Sequence, residues 1–179
     1  ICRGNEEHFQ YLLGWMAQMI QEPGIKIGVA VAFRGPKGAG KSKLPDWLRY
    51  IVGFRNAMVA NNKGQWTGRF TSQLKEIILL TCEEAFFAGG YEEDAAMKHT
   101  ITSIDYSYEA KGKEIENGKN FTRVIIITNE RWVVPATQGE RRYFVQDVGT
   151  EKTKDTAYFA AIDAQISAGG AAAMLYDLM

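Results

Sequence analysis

The chain has 179 residues, with 21 Lys+Arg balanced by 21 Asp+Glu, two His, two Cys, 46% hydrophobic and 12% aromatic residues. A domain of this length buries roughly 70% of the surface that its unfolded form exposes, so it can build a core without staples. A charged fraction of 23% excludes a disordered chain, no run nears the ~18 apolar residues of a membrane span, and zero net charge excludes a broad polyanion-binding surface on one molecule.

The reading is therefore of a soluble globular protein whose contacts with nucleic acid, if any, are local. The chain starts Ile1-Cys2-Arg3-Gly4, without Met or a targeting pattern, and is expected to be an excised piece of a larger protein. Cys2 and Cys82 match no disulfide framework or metal-ligand pair, which fits a reducing interior. His8 and His99 lie far apart with no ligand set around them, so both are read as incidental.

In chain order, Asn5-Glu6-Glu7 supplies a cap and an acidic first turn, and Phe9, Leu12, Leu13, Met16, Ala17 and Ile20 follow at helical spacing up to Pro23-Gly24. The nearly continuous apolar run Ile27–Phe33 reads as a strand covered on both faces. A glycine-rich loop follows it, and a helix resumes after Lys43 through Leu44, Trp47, Leu48, Ile51 and Val52. The polar stretch Asn61–Arg69 reads as a connection, and Glu76–Cys82 as a second buried strand that ends on two carboxylates. A helical patch at Glu92–His99 leads to alternating Ile104, Tyr106, Tyr108 and Ala110, and Asn117-Gly118 reads as the turn of a hairpin. Val124–Thr128 is the third buried strand. Tyr158, Phe159, Ile162 and Ile166 form a helix stopped by Gly169-Gly170, with a short terminal helix beyond.

Gly35-Pro36-Lys37-Gly38-Ala39-Gly40-Lys41-Ser42 satisfies G-x-x-x-x-G-K-[ST] at every fixed position, with a strand before it and a helix after it. Its glycines let backbone N–H groups face phosphate oxygens, Lys41 brings a cation to the β- and γ-phosphates, and Ser42 offers a hydroxyl to Mg²⁺. ATP with Mg²⁺ is the expected ligand. Lys37 and Lys43 flank the loop as phosphate contacts or as solvated lysines.

Glu83 and Glu84 end the second strand, where carboxylates of open α/β sheets face the ligand crevice. In a Walker B arrangement the first, here Glu83 in place of the usual Asp, holds Mg²⁺, and Glu84 polarises the attacking water. Asn129 ends the third strand, where it or its neighbour Thr128 can orient that water. Arg141 and Arg142 precede Tyr143-Phe144-Val145, as a surface pair or as a cation for the γ-phosphate of a neighbouring subunit.

This order of P-loop, paired acids, hairpin, Asn and Arg resembles the helicase/ATPase part of phage- and plasmid-type primase-helicases, related to superfamily 3 of the AAA+ class. Further phrases carry the likeness: Tyr11–Ala17 with Gln21-Glu22-Pro23, Phe33-Arg34-Gly35, Glu84–Gly89, Thr128–Pro135 and Glu140–Phe144. The resemblance implies a three-layer α/β P-loop NTPase fold of AAA+ type, with a central, mainly parallel sheet, an inserted β-hairpin and C-terminal helices. It implies a single ATPase domain over 1–179, divided into an N-terminal helix at 1–24, an ATPase core at 25–150 and C-terminal helices at 151–179.

The same resemblance makes Lys41 and Ser42 the Walker A pair, Glu83 and Glu84 the Walker B pair, Asn129 the sensor 1 residue, and Arg141 or Arg142 a finger acting in trans. It places the chain in a homo-oligomeric ring, a hexamer, that moves on single-stranded DNA, with Lys111, Lys113 and Lys119 of the hairpin following phosphates in the channel. It further implies phage or prophage origin, the cytoplasm of a bacterial host, no membrane, and an attached primase or polymerase domain. Two rival readings use the same loop: a small P-loop kinase, and a nucleotide-gated assembly or DNA-binding module with slow turnover.

Overall fold

The computed structural model describes residues 1–62, 64–67, 71–83, 91–130 and 139–179. Five strands form one parallel sheet: β1 (Ala30–Arg34), β2 (Ala57–Ala60), β3 (Leu79–Glu83), β6 (Arg123–Thr128) and β7 (Tyr143–Asp147), in the order β2-β3-β6-β1-β7. Every pairing in it is parallel, with Arg34 beside Thr128 and Glu83 beside Ile127. The carboxyl ends of all five strands therefore lie on one edge, which is where ligands sit in open sheets of this kind.

Period-two alternation splits the strand side chains between two apolar layers. Ala30, Ala32, Leu80, Cys82, Val124 and Ile126 face one side, under Met97 and Ile101 of α4 (Tyr91–Thr102). Val31, Phe33, Leu79, Ile125 and Ile127 face the other, under Leu12, Trp15, Met16 and Met19 of α1 (Glu6–Gln21) and Leu44 and Leu48 of α2 (Lys43–Val52). Helices thus cover both faces of the sheet, in agreement with the expected three layers. Asn5 caps α1 by accepting from His8 N at 2.9 Å. The far end of α1 is tied to the sheet by the buried Arg123, whose guanidinium donates to Gln18 Oε1 (3.0 Å), Phe121 O (3.0 Å), Glu22 O (3.3 Å) and Ile25 O (2.5 Å).

Several elements differ from the expectations. The second buried strand is Leu79–Glu83, and Ile77 and Ile78 lie in the irregular segment just before it. The stretch read as a connection contains a short helix, α3 (Gly64–Thr67). Strands β2 and β7 had no counterpart in the sequence reading. The hairpin is β4 (Asp105–Tyr108) against β5 (Glu116–Lys119), and Asn117-Gly118 is not its turn. Asn117 and Gly118 pair inside β5 with Ser107 and Tyr106, because Gly118 leaves room for the Tyr108 ring; a Cβ there would stand 3.3 Å from that ring. The chain reverses instead in the loop between Tyr108 and Glu116, with Gly112 at φ +74.

The C-terminal part holds α5 (Thr156–Gln165), a wide turn at Ile166–Gly170 where Gly169 has φ 106, and α6 (Ala171–Leu178). The glycine stop expected from the sequence lies in that turn. Leu178 is buried beside α1, and its carbonyl accepts from Gln21 Nε2 at 2.8 Å.

Candidate nucleotide site

A cavity of about 550 Å³ opens at the carboxyl edge of the sheet, within the size range of small-molecule sites. Its floor is the Gly35–Ser42 loop, which leaves β1 and enters α2. The loop closes tightly because Gly38 and Gly40 adopt φ +81 and +83, in the left-handed region that side chains disfavour. Lys41 is 6% exposed, and its ammonium donates to Gly35 O (2.8 Å), Pro36 O (2.7 Å) and Asn129 Oδ1 (2.7 Å). The cation is thus held by its own loop and by the residue that ends the neighbouring strand.

Ser42 stands at the N-cap of α2 and makes no side-chain capping bond there. Glu83, at the end of β3, lines the same cavity as Lys41, Ser42 and Asn129. The order of strands explains the convergence: β6 lies between β1 and β3, so Asn129 emerges between the loop lysine and the carboxylate. A hydroxyl and one carboxylate are the donor set that Mg²⁺ uses when phosphates and water complete its shell, so these residues fit the ion. Among the described residues, no group of three or more His, Cys, Asp and Glu side chains gathers as an all-protein cage. Glu84 lies outside the described residues.

The wall opposite the loop comes from residues that the sequence reading did not select. Lys154 N donates to Gly38 O at 2.9 Å, and the Phe159 ring packs directly on Gly40. Asp163 accepts from Lys43 Nζ at 2.5 Å and from Trp47 Nε1 at 3.0 Å, and these two donors hold its carboxyl below the usual carboxylate range. More than a hundred residues separate this wall from the loop, so only the tertiary path of the chain brings them together.

Arg141 and Arg142 are not in the cavity. Arg142 O accepts from Ala30 N at 2.8 Å, at the opposite edge of the sheet, one five-residue strand or ~16 Å from the loop. The Arg142 guanidinium is held by Glu140 at 2.9 and 3.1 Å, whereas Arg141 is exposed. Burial alone would raise the Glu140 pKa, but the backbone N–H and guanidinium of Arg142, with Lys98 nearby, bring it below its usual value.

The hairpin is braced at its root. Asn120 Nδ2 donates to Thr100 O at 2.9 Å and Ser103 O at 2.8 Å, and Tyr108 OH donates to Lys119 O at 2.8 Å. Lys111 and Lys113 are exposed in the loop at its tip, while Lys119 lies at its base and pairs with Asp105 at 2.7 Å. Among the described residues, no helix is long and apolar enough to cross a membrane.

Comparison with known proteins gives the same architecture. One solved apo structure of the C-terminal region of NrS-1 superposes with a TM-score of 0.80 at 22% identity, over 93% of this chain and 41% of that one. Another, the A form, superposes with 0.80 at 22% identity over 96% and 41% of the respective chains. A third gives 0.74 at 20% identity over 90% and 39%. At this identity the likeness establishes the fold, and this chain spans about two fifths of the length of those structures. No curated protein matches the chain. A family model matches residues 33–142, from the end of β1 to the arginine pair, and the chain therefore belongs to DUF5906, a family of unknown function.

Proposed function

We propose that the cavity binds ATP with Mg²⁺ and that the chain is an ATP-hydrolysing module of a replication motor acting on single-stranded DNA. The observation that carries this reading is the convergence of Lys41, Ser42, Glu83 and Asn129, from three separate strands, on one cavity at the carboxyl edge of the sheet. When nucleotide enters, Lys41 exchanges protein oxygens, among them Gly35 O, Pro36 O and Asn129 Oδ1, for phosphate oxygens, and the backbone N–H groups of the loop complete the cradle. Bound through Ser42 and Glu83, Mg²⁺ would neutralise developing phosphate charge. Asn129 is the proposed orienting group for the lytic water, and Glu84 is the proposed polarising base.

The location of the arginines supports hydrolysis at subunit junctions. Neither reaches the cavity of its own chain, so a finger role requires a second copy. Arg141, exposed, is the better placed of the two, since Arg142 is committed to Glu140. A homo-oligomeric ring, a hexamer in the proposed form, also reconciles zero net charge with DNA, because each subunit contributes only the Lys111 and Lys113 tips to a shared channel. Lys119 contributes less, being paired at the base.

Steady-state ATP hydrolysis with and without single-stranded DNA tests this function. Lys41→Ala is expected to abolish turnover, and Lys111→Ala with Lys113→Ala to retain basal turnover while losing DNA stimulation. Turnover that depends on a small-molecule phosphate acceptor would identify a kinase instead, and nucleotide binding without turnover would identify a gated module.

A further inference from the structure

We infer that Lys154 is a second phosphate-contacting cation of the nucleotide site, delivered within the same chain by the segment that precedes α5. The inference rests on the nucleotide reading above and adds to it a residue outside the loop and its strands.

Four observations converge on Lys154. It lines the cavity together with Lys41, Ser42 and Glu83. Its backbone N–H is bound to Gly38 O at 2.9 Å, in the middle of the loop whose amides would hold the phosphates. Its side chain leaves along the loop and passes through the space beside Gly38, where a Cβ would meet Lys154 Cγ at 3.2 Å. It also holds φ 62, a conformation that a lysine adopts only when its surroundings impose it. Here the surroundings are the bonds Thr153 N to Thr150 O (3.0 Å), Asp155 N to Lys152 O (3.1 Å) and Thr156 N to Lys154 O (2.9 Å), which fold the segment back onto the loop.

Charge separates Lys154 from its neighbours. Lys152 is paired with Asp155 at 3.1 Å and Lys43 with Asp163 at 2.5 Å. Among the described residues, no carboxylate lies within ion-pair distance of Lys154, which is exposed at the cavity. A lysine left without a counter-ion, anchored to a phosphate-binding loop and facing its cavity, provides the complement for a polyanion. The longer the phosphate chain, the more it has to offer this cation.

The test uses the whole chain and three variants, with ATP, ADP and AMP affinities measured by competition against a fluorescent ATP analogue. Lys154→Asn removes the charge but keeps the N–H to Gly38, and Asn tolerates left-handed backbone. It is expected to weaken ATP about tenfold, the usual scale of one charge-assisted contact, while AMP changes less than about twofold. Lys154→Arg should restore most of the ATP affinity. Lys41→Ala is the reference: if it leaves ATP binding intact, the nucleotide reading itself is wrong. If Lys41→Ala loses ATP but Lys154→Asn binds all three nucleotides like the parent, or loses all three equally, Lys154 is not a phosphate contact.

Discussion

Asn129 offers a prediction that runs against the simple expectation that removing a site residue weakens binding. Its Oδ1 accepts from Lys41 Nζ at 2.7 Å, a bond that competes with any phosphate the lysine would serve. A hydrogen bond to a charged group is worth about 1.5–3 kcal/mol, and each 1.4 kcal/mol is tenfold in an equilibrium constant. Gly35 O and Pro36 O continue to hold the ammonium at 2.8 and 2.7 Å, so only part of that energy is released by removing Asn129. Asn129→Leu, which keeps the volume, is therefore expected to bind ATP about two- to fivefold more tightly. The same change removes the group that orients water, and loss of one preorganised polar group of this kind costs about 10²–10³ in turnover. Calorimetric titration with a non-hydrolysable ATP analogue, paired with phosphate-release kinetics, reads both effects. A variant that loses affinity and turnover in the same proportion would refute this assignment of the Lys41–Asn129 bond.

Three other outcomes follow from the structure. Arg123→Met should cost about 3 kcal/mol and lower the melting temperature by about 6–12 °C, because it strips the donor from the carbonyls of Phe121, Glu22 and Ile25 that close the end of α1. Lys26 donates to Thr122 O, and burial, reinforced by Arg123, lowers its pKa from 10.5 to about 7. The native state thus binds fewer protons than the unfolded chain between about pH 7 and 10.5, and the contribution of Lys26 to stability rises with pH across that window. The unfolding free energy from urea titration, wild type minus Lys26→Met, should shift toward the wild type by on the order of 2–4 kcal/mol from pH 6 to pH 10. Arg141→Ala should remove turnover while leaving ATP affinity unchanged, and mixing it with Lys41→Ala should recover part of the activity at mixed junctions; a mixture as inactive as its components would exclude a finger acting in trans.

The loop at 35–42 was legible in the sequence because its chemistry demands residue types at fixed spacing, and β1, β3 and β6 because both of their faces are covered and their apolar runs are unbroken. Strand β2 was not, since Ala57-Met58-Val59-Ala60 is short and ordinary, and it is a strand because Leu79–Cys82 stands ready to pair with it. In β7, Gln146 and Asp147 interrupt the apolar run, and pairing with β1 sets its state. Asn117-Gly118 carried the strongest local turn signal in the hairpin, yet packing of the Tyr108 ring took that glycine into the strand. Lys154, Phe159 and Asp163 had no local signature at all: a lysine, an aromatic and an acid on a C-terminal segment gain meaning only from where the chain returns to the loop.

The measurement that tests the account most directly is equilibrium binding of ATP to the whole chain, with and without Mg²⁺, for the parent, Lys41→Ala and Ser42→Ala. The account predicts saturable binding by the parent that Mg²⁺ strengthens, none by Lys41→Ala, and binding by Ser42→Ala that Mg²⁺ no longer strengthens. A parent that does not bind ATP, or a Lys41→Ala variant that binds it equally well, would contradict it.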